Sequence, residues 1–293
     1  MEIKRYAGID IGSNATRLII KDVLPGESYD KAVLKKRLYV RMPVRLGADV
    51  FEYDKIKQQK KQDFIDAITI YRRLLDFYNV KQFRACATSA VRDAKNGEIV
   101  IKEIKKLTGI RIDIIDINEE ANLIFETNKY HLTPGNTYLS ADLGGGSLQL
   151  SLFKGEKLFW SDSYKIGTVR ILEKKVDSNE YSRFEKDMQK LLEKHININL
   201  IGTGGNINRI SKICSNKSVP LIFLKNLYNE LKPLNIDERM LKYFFRTDRA
   251  DVIVPALEIY IRILETVKLN TIYVPKTGLA DGIIRQLYED DFM

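Results

Sequence analysis

The sequence predicts a two-domain α/β protein built on a duplicated unit. Its 293 residues exceed one ordinary core and suit two domains of roughly 120 to 170 residues. Hydrophobic residues at 44% and charged residues at 30% give the balance of a globular chain. Most telling, a strand, glycine turn, strand signature occurs twice. Asp10-Ile-Gly-Ser sits between apolar stretches in Tyr6 to Ile20, and Asp142-Leu-Gly-Gly does so in Tyr138 to Phe153.

Each element follows from local pattern. After the first hairpin, Arg37 to Leu46 alternates as a third strand. Tyr53 to Tyr78 has a helical period through Phe64, Ile65, Ile68, Leu74 and Leu75. Phe83 to Thr88 reads as a short strand running into Ser89-Ala-Val-Arg-Asp93. A helix from Ile99 to Leu107 stops at Gly109, a residue suited to a C-cap. Ile110 to Ile117 is a strand, and Asn118 starts a helix, Glu119 to Lys129, with carboxylates where the helix dipole favours them. The loop Thr133 to Asn136 separates the halves. Beyond the second hairpin come a helix around Tyr181 to Lys194, a strand at Ile198 to Ile201, a Gly-rich turn and further helices. Domains at 1–127 and 128–293 are expected, packed across a cleft, with the C-terminal helix returning to the first.

Composition also excludes chemistries. Cys86 and Cys214 are far apart and His131 and His195 are the only histidines, so neither a disulfide framework nor a Cys/His zinc site is expected. Ser-His-Asp or Cys-His catalysis is poorly supported, which leaves carboxylates, arginines and backbone amides. No apolar run approaches the roughly 20 residues that span a bilayer, and the first residues lack a signal-peptide core. A cytoplasmic protein with no membrane association is expected. The net charge of +9 suits either an acidic partner or a solvated basic surface. No nucleic-acid motif appears, so no specific nucleic acid is expected.

The two turns carry the chemistry. A dinucleotide or P-loop fingerprint requires a helix directly after its glycines, whereas Leu148, Leu150 and Leu152 alternate in strand period. Each turn is therefore a hairpin tip, where glycine lets the backbone approach an anion and successive N–H groups form an anion nest. Gly12, Ser13 and Asn14 make the first loop; Gly144, Gly145, Gly146 and Ser147 make the second. Asp10 and Asp142 suit a hydrated Mg2+ or another divalent cation, or a held water. One such hairpin is usually a tight turn. Two equivalent ones match how the actin-like ATPase (ribonuclease H-like) superfold clamps a phosphate chain between its domains.

Six motifs then resemble one family. These are Gly8-Ile-Asp-Ile-Gly-Ser-Asn14, Ala87-Thr-Ser-Ala-Val-Arg-Asp93, Glu119-Glu-Ala-Asn-Leu-Ile124, Asp142-Leu-Gly-Gly-Gly-Ser147, Gly202-Thr-Gly-Gly-Asn-Ile207 and Arg249-Ala-Asp-Val-Ile-Val-Pro255. In this order they resemble the exopolyphosphatase/guanosine pentaphosphate phosphatase family. The departures are Gly205-Asn206 where Gly-Thr is common, Ala15-Thr16-Arg17 after Ser-Asn, and Gly278-Leu-Ala-Asp-Gly282 in place of a Gly-Leu-Arg-Glu-Gly type. The extra C-terminal helical domains of longer members are not expected before Met293.

The resemblance implies a phosphoanhydride hydrolase. Glu120 takes the place of the family's catalytic glutamate, the second of its Glu-Glu pair. The sequence adds one argument: adjacent carboxylates repel, which raises the pKa of one toward a useful value. Acidic residues also open many helices for dipole reasons alone, and Glu119 suits that role. By its place in the motif Arg92 would contact phosphate oxygens. Arg249 would do the same, or pair with Asp248 or Asp251. The expected substrate is polyphosphate, with pppGpp (cleaved to ppGpp) as the alternative and a non-catalytic sensor of either as the third reading. The runs Lys35-Lys36-Arg37, Lys55 to Lys61, Lys102 with Lys105 and Lys106, and Lys174-Lys175 suit a polyphosphate path, or solvated faces taken singly. A homodimer is the expected assembly.

Overall fold

The structure is a computed structural model that describes residues 3–24, 26, 32–128, 133, 135–155, 157–195 and 197–292. It divides into two compact units, Met1–Tyr130 with Gly278–Met293, and His131–Thr277.

In the first unit, β1 (Lys4–Ile11) and β2 (Thr16–Leu24) form an antiparallel hairpin with Ile11 opposite Thr16. The edge strand β3 (Val33–Met42) pairs antiparallel with β2. Helices α1 (Leu46–Tyr53) and α2 (Gln58–Phe77) lead to β4 (Gln82–Ala87), which lies parallel to β1. Then come α3 (Ser89–Asp93), α4 (Gly97–Thr108), β5 (Ile112–Ile114) and α5 (Ile117–Asn128). The sheet order is β3-β2-β1-β4-β5.

The second unit repeats the plan. It runs β6 (Thr137–Leu143), β7 (Leu148–Lys154), β8 (Lys157–Tyr164), α6 (Thr168–Leu172), α7 (Ser178–Lys194), β9 (Ile198–Thr203) and α8 (Gly205–Cys214). It continues through β10 (Ser218–Pro220), α9 (Leu221–Leu231), α10 (Ile236–Tyr243), α11 (Thr247–Ala250), α12 (Ile253–Thr266) and β11 (Thr271–Tyr273). The order β10-β11-β9-β6-β7-β8 mirrors the first sheet, with β6–β7 and β7–β8 antiparallel and β6–β9 and β9–β11 parallel. This is the actin-like α/β plan that the paired signatures predict. The chain then returns to the first unit as α13 (Leu279–Phe292), which packs on β1 and α5.

The burial pattern explains the plan. β7 is buried along Leu148 to Phe153, as expected of a strand covered on both faces. The second unit's core gathers Leu139, Leu150, Leu200, Ile207, Tyr260 and Ile263 around its sheet.

Local chemistry moves several predicted boundaries. The single helix expected over Tyr53 to Tyr78 is two, because Asp54 adopts left-handed φ 57° and breaks the register. β3 ends at Met42, just before Pro43, which has no N–H to donate to a ladder. The strand expected over Ile110 to Ile117 keeps only Ile112–Ile114. The carboxylate of Asp116 accepts from the Glu119 N–H at 2.8 Å and opens α5 at Ile117, before Asn118. Gly109, at φ 72°, caps α4 as expected. Lys129 and Pro134, included in the expected helix and loop, lie outside the described residues.

Candidate active site

Ligand sites in sheets of this kind lie beyond the carboxyl ends of the parallel strands. In the first unit those ends are Ile11, Ala87 and Ile114, at β1, β4 and β5. They are stitched together: Thr88 N–H donates to Ile11 O, and Ile115 N–H to Ala87 O, each at 3.1 Å.

The first loop is a four-residue hairpin tip, closed by Gly12 N–H donating to Ala15 O at 3.2 Å. Behind it the start of α1 holds its carbonyls: Arg45 N–H bonds Asn14 O at 3.1 Å, and Gly47 N–H bonds Ser13 O at 2.8 Å. Ser13 and Asn14 are buried, and the Ser13 hydroxyl meets that of Ser89 at 2.8 Å. That bond ties the loop to the segment bearing Arg92. Arg92 donates through Nη1 to Ile115 O at 2.7 Å, and the same nitrogen lies 3.5 Å from Glu120 Oε2. The side chain of Glu120 is 13% exposed. The structure thus brings Arg92 and Glu120 together.

Glu119 and Glu120 do not share a partner. Consecutive positions on a helix diverge by about 100°. Glu119 accordingly faces Arg84, with Arg84 Nη2 donating to its Oε1 at 2.6 Å, while Glu120 faces Arg92. Arg84 also bonds Asp113 and Gln286, so Glu119 belongs to a scaffold network joining β4, β5, α5 and α13. Each carboxylate faces its own guanidinium.

The second unit places equivalent parts at the ends of β6 and β9. Its loop closes the same way, with Gly144 N–H donating to Ser147 O at 2.9 Å. Asp142 Oδ1 accepts from the Thr203 hydroxyl at 2.8 Å. Tyr260 donates its hydroxyl to Thr203 O at 3.0 Å. Burial first, and then the Asp142 charge, push that hydroxyl well above the ordinary tyrosine range, so it stays a neutral donor. Gly204 has φ 98°, and a Cβ there would lie 2.9 Å from Asp142 Oδ1, so the turn into α8 requires glycine. Arg249 donates to the buried Asn206 side chain, which joins the third and sixth motifs. With Asp248 and Asp251 so close in the chain, the sequence pattern did not suggest Asn206 as its partner.

The duplicated aspartates have diverged. Cross-strand register puts Arg17 opposite Asp10 and Gln149 opposite Asp142. Arg17 forms an ion pair with Asp10, and Asp142 accepts from the Thr203 hydroxyl. Among the described residues no three His, Cys, Asp or Glu side chains gather as a metal cage. This donor set fits a hydrated Mg2+ held by one carboxylate and by ligand phosphates.

Sequence reasoning missed one segment. Gly167-Thr168-Val169-Arg170 grips the second loop from behind, with Arg170 Nε donating to Gly146 O at 2.8 Å. A helix of five residues leaves too short a periodic signal to find, although the repeat of hairpin, strand and helix points to it.

Several predicted basic runs are locally paired. Lys61 meets Glu103 at 2.8 Å, Lys60 meets Asp63 at 3.4 Å, Lys102 meets Glu98 at 3.4 Å and Arg37 meets Asp22 at 3.2 Å. Such surface pairs match the solvated-face reading.

Known proteins resemble this chain over most of its length. The family profile described as Ppx/GppA phosphatase family matches residues 38–290. A bifunctional 3-dehydroquinate synthase/phosphatase of Fusobacterium nucleatum is 30% identical over 68% of this chain and 32% of its own length. A guanosine-5'-triphosphate,3'-diphosphate pyrophosphatase of Aliivibrio fischeri is 25% identical over 98% of this chain, which spans 60% of that relative's length. The crystal structure of the Aquifex aeolicus Ppx/GppA family member superposes with a TM-score of 0.79 at 25% identity, covering all of both chains. An exopolyphosphatase from Cytophaga hutchinsonii shares the fold, with a TM-score of 0.84 at 23% identity over 98% of each chain. Duplicated phosphate-type loops, the Arg92–Glu120 pair and these matches together make the chain a member of the Ppx/GppA phosphatase family.

Proposed function

We propose that the chain hydrolyses the terminal phosphoanhydride of inorganic polyphosphate and releases orthophosphate. The observation that carries this reading is the Arg92–Glu120 pair at the carboxyl ends of β4 and β5, tied to the first loop through Ser13 and Ser89. Phosphoryl transfer needs an oriented water, an acceptor for its proton and charge stabilisation around the equatorial oxygens. Glu120 accepts the proton of the attacking water. The water oxygen bonds to the terminal phosphorus in line as the bridging P–O bond breaks, and the shortened chain leaves. Arg92, which already points at Glu120, contacts a phosphoryl oxygen and sets the water between them. The first loop offers Ser13 and Asn14 as phosphate donors, and the second loop offers the Gly145, Gly146 and Ser147 N–H groups, while the Gly12 and Gly144 N–H groups close their own loops. Arg249 holds the Gly204–Asn206 turn through Asn206 and adds positive charge there. Asp142 would hold Mg2+ beside the second loop. When bound, that ion neutralises phosphate charge.

A second reading, pppGpp as substrate, is favoured by the names of the relatives that span nearly all of this chain. The chemistry is the same bond cleavage with a guanosine attached. A cytoplasmic homodimer completes the proposal, and light scattering in solution tests its mass. Among the described residues no helix is long and apolar enough to cross a membrane.

Orthophosphate release from long-chain polyphosphate and from pppGpp, measured in parallel with Mg2+, tests the proposal. A higher kcat/KM for polyphosphate is expected. A ratio favouring pppGpp supports the second reading, and salt-sensitive binding without release from either makes the protein a sensor and refutes hydrolysis.

A further inference from the structure

The second loop contains three consecutive glycines, Gly144, Gly145 and Gly146, so nothing within it dictates which way its peptide units face. A flipped peptide would present a carbonyl oxygen to an anion and repel it. We infer that Arg170, with the backbone of Gly167 to Val169, is the positioning element that fixes this loop, and that the fixed anion donors are the N–H groups of Gly145, Gly146 and Ser147. The inference rests on the phosphate-binding reading above and adds to it a residue and an orientation.

The geometry settles each peptide unit in turn. Thr168 N–H donates to Gly144 O at 3.1 Å and its hydroxyl reaches the same oxygen at 3.4 Å. Val169 N–H donates to Gly145 O at 2.8 Å, and Arg170 N–H shares that acceptor at 3.3 Å. Arg170 Nε donates to Gly146 O at 2.8 Å. In a trans peptide the C=O and the following N–H point in opposite directions, and the described residues contain no cis peptide. With three successive carbonyls turned toward α6, the N–H groups of Gly145, Gly146 and Ser147 face away from it. Among the described residues no hydrogen bond uses those three N–H groups.

Two further features separate this brace from ordinary packing. Gly167 approaches so closely that a Cβ there would lie 2.2 Å from Gly145 O. Arg170 is only 9% exposed, so a guanidinium is buried directly behind an anion-facing loop. In the first loop the Arg45 and Gly47 N–H groups hold the Asn14 and Ser13 carbonyls, Gly12 N–H holds Ala15 O, and the Ser13–Ser89 hydroxyl pair adds a further restraint. In the second loop, Arg170 supplies a restraint of this kind through Gly146 O.

The test uses the full chain with R170M, R170K and G167A, each first checked for folding by circular dichroism. KM and kcat are measured on whichever phosphoanhydride substrate the wild type cleaves, and tripolyphosphate binding is measured by calorimetry. Since misplacing a binding group by about 1 Å costs up to about 10²-fold, R170M is expected to raise KM and the tripolyphosphate Kd by about that factor, with a smaller change in kcat. R170K keeps the charge but loses the planar fork and is expected to fall about tenfold short of wild type. G167A, which forces the brace off the loop without touching Arg170, shifts both constants in the same direction. If R170M does not fold, R170K and G167A decide. Folded variants that lose thermal stability yet keep wild-type KM and Kd overturn the inference alone. A wild type that neither binds nor cleaves phosphoanhydrides overturns the phosphate-binding reading, and this inference with it.

Discussion

Replacing Gly282 by alanine tests whether helix α13 sets the position of the α5 carboxylate. A Cβ at Gly282 would lie 1.9 Å from Leu123 O and 2.6 Å from its carbonyl carbon, in the middle of α5. Moving from 1.9 to even 3.0 Å, the closest that real Cβ contacts reach, requires the two helices to part by about 1.1 Å. α13 has strong reason not to leave altogether, because Leu279, Ile283, Ile284 and Tyr288 are buried beneath it. Exposing each would cost roughly 1.5–3 kcal/mol, more in sum than the ~1–3 kcal/mol of overpacking strain. The pair therefore opens and stays docked. At about 2–4 °C per kcal/mol for a protein of this size, Tm falls by several degrees. Leu123 lies one turn beyond Glu120, so the same shift moves the proposed base, and turnover drops about 10- to 100-fold. Thermal unfolding and phosphate release on one preparation check both numbers. An alanine variant with wild-type Tm and wild-type rate would show that α13 neither touches α5 as described nor positions Glu120.

The remaining predictions concern pH and thiol chemistry. Hydrogen bonds from Lys4 and then Tyr6 hold the Asp291 carboxyl below its usual range, clamping α13 to β1. A depressed folded-state pKa gives stability that is present above the unfolded value of about 3.9 and is lost as pH falls through the folded value. Asp291→Asn should therefore lower stability at neutral pH, by under about 1 kcal/mol for so exposed a pair, and the difference should vanish as pH falls through the folded value. A difference that persists in acid would place the effect elsewhere. Burial pushes the Cys86 thiol up to about 12, and the Cys214 thiol is raised as well. Ellman's reagent at pH 8 should leave Cys86 untouched in native protein and titrate both thiols only after denaturation, since the thiolate is the reactive form.

The duplication was legible because Asp-x-Gly turns flanked by period-2 leucines leave little other reading. The hairpin register came from the structure, where a four-residue loop between Ile11 and Thr16 sets Asp10 opposite Arg17. Helix starts were less legible, since Asp116 and Asn118 are both good N-caps and only the side-chain bond to Glu119 N–H chooses between them. Divergence of the Glu119 and Glu120 partners depends on Arg84 and Arg92, which reach α5 from β4 and α3 through tertiary packing. The contacts of the brace at Gly167 to Arg170 were not legible, although the internal repeat points to a helix there. The brace works through backbone contacts between segments far apart in the chain, and neither propensity nor periodicity records them.

The most direct test is orthophosphate release by Glu120→Gln beside the wild type, with tripolyphosphate binding measured on both. Loss of a general base is worth about 10²–10⁴-fold, so turnover should fall by at least that much while the Kd stays within about twofold of wild type. A Glu120→Gln protein that keeps the wild-type rate would remove Glu120 from the chemistry and overturn the mechanism built on the Arg92–Glu120 pair.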